Sequence, residues 1–148
     1  MENKKIAIGA DHAGFELKEK VKLLLKELNY EVVDYGTNTP DSVDYPLIAK
    51  ALANAVKNKD PEKGILVCGT GIGMSIAANK IRGIIAAPCY DTETAKLARQ
   101  HNNSNVLTLG GRMISFEKAK DIVKIWLETE FEGGRHQRRV QEIRDLEK

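Results

Sequence analysis

Short apolar runs alternate with stretches of helical periodicity along the whole chain. KKIAIGA (4–10), YEVVDYG (30–36), KGILVCG (63–69), GIIAAPC (83–89) and NVLTLGG (105–111) predict five buried strands. Leu17, Val21, Leu24, Leu25 and Leu28 share one face of a helix over 14–28. Leu47, Ala51 and Ala55 mark a second helix, with Asp44 as N-cap and Pro46 in its first turn. A third helix opens near Gly73 and a fourth runs over 91–100. A fifth follows Ser115, with Ala119, Ile122, Val123 and Trp126 on its apolar side. Gly133-Gly134 then interrupts the chain before a last polar helix over 135–147. This alternation predicts an α/β fold, a Rossmann-like three-layer α-β-α sandwich around a five-stranded parallel sheet. No linker rich in Pro, Gly or Ser, no repeat and no low-complexity segment divides residues 1–148, so a single domain is expected.

Such a sheet binds ligands outside the carboxyl ends of its strands. The segments to read for chemistry are therefore Asp11-His12, the 37–45 loop, Cys68 to Gly73, Cys89 to Asp91, and Gly110 to Arg112. Composition excludes several function classes. Lys and Arg number 23 against 21 Asp and Glu, which argues against a nucleic-acid partner. No apolar run reaches membrane-spanning length and no signal-peptide core follows Met1, so no membrane association is expected. Two cysteines without CxxC spacing fit free thiols in a reducing cytoplasm. His12, His101 and His136 lack any tight metal spacing, and no metal is expected. The basic tail, from Arg135 to Lys148, is interspersed with Glu142, Asp145 and Glu147, the pattern of a solvated helix.

Cys68-Gly-Thr-Gly-Ile-Gly73 ends a strand and opens a helix. Its glycines permit positive φ and close backbone approach, and amides at a helix start attract anions. It is not a Walker A loop, because Gly73-Met74-Ser75 replaces Gly-Lys-Ser/Thr. Met74 also breaks the dinucleotide fingerprint, although Asp91 lies about twenty residues on and keeps a nucleotide reading open. A thiol beside a helix N-terminus has its thiolate stabilised. The opposing reading makes Cys68 a small buried hydrophobe; Cys89 is read that way. A thiolate base beside preorganised amides suits removal of a proton α to a carbonyl, where the enediolate oxygen needs donors.

At this point the chain resembles the ribose-5-phosphate isomerase B family, within a wider group of sugar-phosphate isomerases. The resemblance rests on IAIGADHAGFELK, SVDYP at 42–46, CGTGIGMSIAANKIRGIIAA, and DTETAKLARQHNNSNVLTLGGR at 91–112. It implies cofactor-free interconversion of D-ribose 5-phosphate and D-ribulose 5-phosphate through a cis-enediolate. Cys68 is then the base, Thr70 assists proton movement, and His101 opens the furanose ring with Asp11 as ligand and ring-oxygen acid. Substrate contacts fall on His12, Gly69, Thr70, Gly71, Ile72, Gly73, Asn102, Arg112, Arg135 and Arg139. The resemblance further implies a homodimer with shared active sites, some members pairing into tetramers, and a C-terminal helix reaching a partner subunit. Taken singly, the same residues have plainer readings. Asp11 can cap a helix, His101 can sit on a helix C-terminus, and Arg135 and Arg139 can pair with Glu132 or Glu142. Two rival functions remain: an isomerase of a six-carbon sugar phosphate such as D-allose or galactose 6-phosphate, or a noncatalytic nucleotide or phosphosugar binder.

Overall fold

A computed structural model describes residues 4–147; residues 1–3 and 148, including the basic Lys148, lie outside the described residues. Five strands form one parallel sheet: β1 Lys4–Ala10, β2 Tyr30–Asp34, β3 Gly64–Cys68, β4 Ala86–Pro88 and β5 Val106–Gly110. The helices are α1 Phe15–Glu27, α2 Tyr45–Lys57, α3 Ile72–Asn79, α4 Thr92–Asn102, α5 Phe116–Glu128 and α6 Arg135–Asp145. Strand order is β2-β1-β3-β5-β4, so the winding reverses between β1 and β3. That is the switch point at which a crevice opens in such sheets.

Strand parity divides the core into two layers. Ile6, Ile8, Ile65, Val67, Leu107 and Leu109 face the layer that holds α1, α4 and α5. Ala7, Leu66, Cys68 and Val106 face α2 and α3. Helix starts follow local chemistry. Asp91 accepts from the Thr94 amide at 2.7 Å and Ser115 Oγ from the Lys118 amide at 3.2 Å. Asp44 occupies the N-cap of α2 without a side-chain capping bond.

Two expectations change. The fourth strand, expected over 83–89, keeps only three residues. The Ile85 and Ala86 amides donate instead to Asn105 Oδ1 and Asn79 Oδ1, both at 2.8 Å. Pro88 has no N–H to extend the ladder. The last helix, read from its charges as solvated, is anchored on its own domain. Val140 and His136 are buried as α6 packs on α4, and the Glu147 carboxylate accepts the Gly83 amide at 3.0 Å.

Candidate active site

Parallel pairing places Ala10 beside Val67 and Cys68 beside Gly110, so the three following loops begin side by side. Cys68 is 5% exposed. Its Sγ borders the apolar layer under α2 and α3, yet accepts the Gly71 amide at 3.2 Å. Gly71 makes this possible by adopting φ +83°, where a Cβ would stand 3.0 Å from the Leu109 carbonyl carbon. The sequence reading aimed all the loop amides at a ligand, and two are committed otherwise. The Gly71 amide serves the sulfur, and the Ile72 amide donates to Thr70 Oγ1 at 3.1 Å. Gly69 is strapped to the end of β5, its carbonyl accepting the Arg112 amide at 3.0 Å. The Arg112 side chain runs along it, with Cδ 3.5 Å from where a Gly69 Cβ would be. Cys89 is different: burial pushes its thiol up to about 11.

Asp11 follows β1 and is 6% exposed. Its Oδ1 accepts the Ala13 and Gly14 amides, both at 3.0 Å, which leaves Oδ2 without a partner among the described residues. His12 Nδ1 accepts the Val43 amide at 3.3 Å, leaving Nε2 to carry the proton in the neutral ring. Asp11, His12 and residues 42–47 enclose a cleft of ≈ 530 Å³. Tyr45 joins that cleft to the glycine loop, because a Cβ on Gly73 would lie 2.7 Å from Tyr45 Cζ. The sequence reading omitted Tyr45; the signal was its place in SVDYP, just after a loop at the ligand-binding edge.

A buried cation holds this loop. Lys18 is 0% exposed and donates to both Asp34 carboxylate oxygens, at 3.0 and 2.8 Å, and to the Thr37 carbonyl at 2.6 Å. Lys22 reaches Asp34 at 2.8 Å. Burial alone would raise the Asp34 carboxyl, but the hydrogen bonds from Lys18 and Lys22 outweigh it and hold it below the ordinary carboxylate value.

The other named residues lie at the opposite end of the sheet. α4 starts where β4 ends and returns to the edge where β5 begins. Its 11 residues carry His101 and Asn102 roughly 16 Å back, at about 1.5 Å per residue. α6 packs there and presents Arg135 and Arg139, both exposed. Neither has a carboxylate within 4.0 Å among the described residues, while Arg138 pairs with Glu142 at 3.6 Å. His101 stacks on His136 with centroids 4.2 Å apart and planes 12° from parallel. Glu132 Oε1 lies 3.9 and 3.7 Å from their Nε2 atoms. The three side chains offer ligand atoms within 4.8 Å of one another. Burial, then His101 and Arg135, push the His136 pKa below its ordinary value.

The described residues thus form two groups: Asp11, His12, Cys68 to Gly73 and Arg112 at one edge, His101, Asn102, Arg135 and Arg139 at the other. Comparison with known proteins decides what kind of enzyme carries these groups. A family model described as Ribose/Galactose Isomerase matches residues 6–143. The chain belongs to the ribose/galactose isomerase family. It is 49% identical to ribose-5-phosphate isomerase B of Escherichia coli, over 97% of each chain. It is 47% identical to D-erythrulose-4-phosphate isomerase of Pectobacterium atrosepticum, over 93% of this chain and 91% of that one. Among solved structures, ribose-5-phosphate isomerase B of Mycoplasma genitalium with bound ribulose-5-phosphate superposes with a TM-score of 0.95. That match has 43% identity and covers 99% of this chain and 98% of the other. The Rossmann-like sandwich is thus the fold of ribose/galactose isomerases, and no helix among the described residues is long and apolar enough to cross a membrane.

Proposed function

We propose that the chain is an aldose–ketose isomerase interconverting D-ribose 5-phosphate and D-ribulose 5-phosphate, in the cytoplasmic pentose phosphate pathway. The observation that carries this reading is the Cys68 sulfur, held at the switch point with the Gly71 N–H directed onto it. In the open-chain sugar, the thiolate removes the C2 proton, the electron pair forms a C1–C2 double bond, and charge collects on O1. Return of the proton to C1, with the O2 hydroxyl proton passing to O1, leaves a ketone at C2. Thr70, whose Oγ1 accepts the Ile72 amide at the start of α3, is read as the relay for the hydroxyl proton. The Gly73 and Met74 amides, without protein acceptors among the described residues, serve the O1 charge. Asp11 Oδ2 and Tyr45 border the same cleft. No metal or cofactor takes part in these steps.

Ring opening requires an acid/base group, and His101 fills that role only if it reaches the Cys68 edge of another copy. We therefore infer a homodimer in which each site joins Asp11, His12, Cys68 and Arg112 of one chain to His101, Asn102, Arg135 and Arg139 of its partner. The apolar side chains around the glycine loop support this: Leu47, Ile72, Ile76 and Met113 are 66%, 51%, 58% and 60% exposed. Such a patch at a site edge fits a second copy. Arg135 and Arg139, exposed, one turn apart and without a carboxylate partner among the described residues, fit the substrate phosphate.

The test is an isomerase assay of wild type and Cys68→Ala on ribose 5-phosphate in the presence of a chelator. Full wild-type turnover and a loss of roughly a hundredfold in the variant are expected from removal of a positioned base. Equal turnover of the two proteins sinks the assignment. Running erythrulose 4-phosphate, allose 6-phosphate and galactose 6-phosphate alongside separates the substrate readings. Ligand binding without exchange of the C2 hydrogen marks a noncatalytic module.

A further inference from the structure

At the edge of the sheet away from Cys68, the segment joining α2 to β3 and the starts of β4 and β5 enclose a second cleft, of ≈ 370 Å³. Lys57, Lys59, Lys63, Arg99 and Arg144 line it against a single acid, Glu62. Among the described residues, no carboxylate lies within 4.0 Å of any of these five cations. Glu130, outside the lining, is close enough to act on Lys63 and Arg99, which still leaves two acids against five cations.

Two of the five are fixed in place. Arg99 is 7% exposed. Its Nε donates to the Thr129 carbonyl at 3.1 Å, and Nη1 donates to Asn103 Oδ1 at 3.0 Å and the Ser104 carbonyl at 2.5 Å. Nη2 has no protein partner among the described residues, so a rigidly held guanidinium keeps one edge for a ligand. Lys63 borders both this cleft and a neighbouring one of ≈ 360 Å³. Its Nζ lies over Trp126, 5.6 Å from the ring centroid. Burial, then Arg99 and Lys4, push its ammonium down to about 8. Packing on Trp126 accounts for Lys63 alone. It leaves Lys57, Lys59 and Arg144 around the same opening unexplained. Cations gathered round one opening, with Lys63, Arg99 and Arg144 partly or wholly withdrawn from solvent, are relieved by an anion that neutralises several at once. The volume lies in the range of sites for small molecules rather than single ions.

We propose that this cleft binds a small polyphosphate, a di- or triphosphate that is either inorganic or attached to a nucleoside. The site stands apart from the isomerase reading and is tested without an activity assay. Titration calorimetry on the full chain at pH 8 and low salt uses inorganic tripolyphosphate, ATP and, for reference, orthophosphate. One tripolyphosphate per chain is expected to bind, more tightly than orthophosphate. Binding of ATP at least as tight as tripolyphosphate marks the nucleoside-linked source, and tighter tripolyphosphate the inorganic one. Lys63→Met and Arg144→Gln each weaken binding at least fivefold, whereas Lys120→Gln, on α5 away from the cleft, leaves it unchanged. The anion raises the Lys63 pKa, so the wild type takes up about half a proton more than Lys63→Met at pH 8, read from buffers of different ionisation heat. Absence of binding overturns the proposal. So does an equal loss in Lys120→Gln, or full displacement by saturating ribose 5-phosphate, which would place the anion at the sugar-phosphate arginines.

Discussion

Replacing Lys18 by Met keeps the stem and removes the charge, which isolates what the buried ammonium does. Three hydrogen bonds disappear: two to Asp34 and one to the Thr37 carbonyl. Removing one partner of a buried pair costs about 3–5 kcal/mol; because Asp34 keeps Lys22 and the Gly36 amide, both at 2.8 Å, the low end applies, about 3 kcal/mol. For a chain of this size that corresponds to a melting point lower by roughly 6–12 °C. Trp126, the single tryptophan and fully buried, reports unfolding by fluorescence. The Asp34 carboxyl is held below its ordinary value, so its share of stability is present above the ordinary carboxylate range, about pH 4, and fades as pH falls further. The gap between wild type and variant should therefore narrow below about pH 4. Since Lys18 also fixes the segment leading to the 42–47 wall of the cleft, KM for the sugar phosphate should rise more than kcat falls. A melting point within about 2 °C of wild type would refute the reasoning, because a lost buried ion pair is not that cheap.

Other expectations follow from single residues. Gly71→Ala forces a Cβ onto a φ of +83° and should cost about 1–2 kcal/mol, with turnover falling further because the Gly71 amide leaves the sulfur. Urea unfolding together with initial rates checks both parts. At pH 8, iodoacetamide should label Cys68 and spare Cys89, whose thiol is pushed up to about 11; peptide mass spectrometry of the alkylated chain reads this directly. The depressed His136 pKa means that the unfolded chain binds that proton more tightly. Stability should therefore fall as pH drops below about 6.5, and His136→Gln should flatten the decline in melts across pH 5–8.

The sheet was legible because buried parallel strands read as near-continuous apolar runs, such as ILVC in β3 and VLTL, with one Thr, in β5. The fourth strand was overread because Asn79 and Asn105, remote in sequence, replace its ladder with side-chain bonds. Lys18 was not legible: its partners Asp34 and Thr37 lie sixteen and nineteen residues away, and no local periodicity reports them. The separation of Cys68 from His101, by contrast, was implicit in the strand–helix alternation. A helix leaving the carboxyl edge of a parallel sheet must end at the amino edge.

That separation is what a mixing experiment reads most directly. Cys68→Ala and His101→Ala homodimers should each be nearly inactive. If the proposed homodimer holds, co-refolding gives half the dimers one chain of each kind, with one of the two sites in each such dimer intact. Activity should then return to about a quarter of wild type, as twofold symmetry dictates. Mixed dimers that demonstrably form, yet recover no activity, would contradict a site shared between two chains.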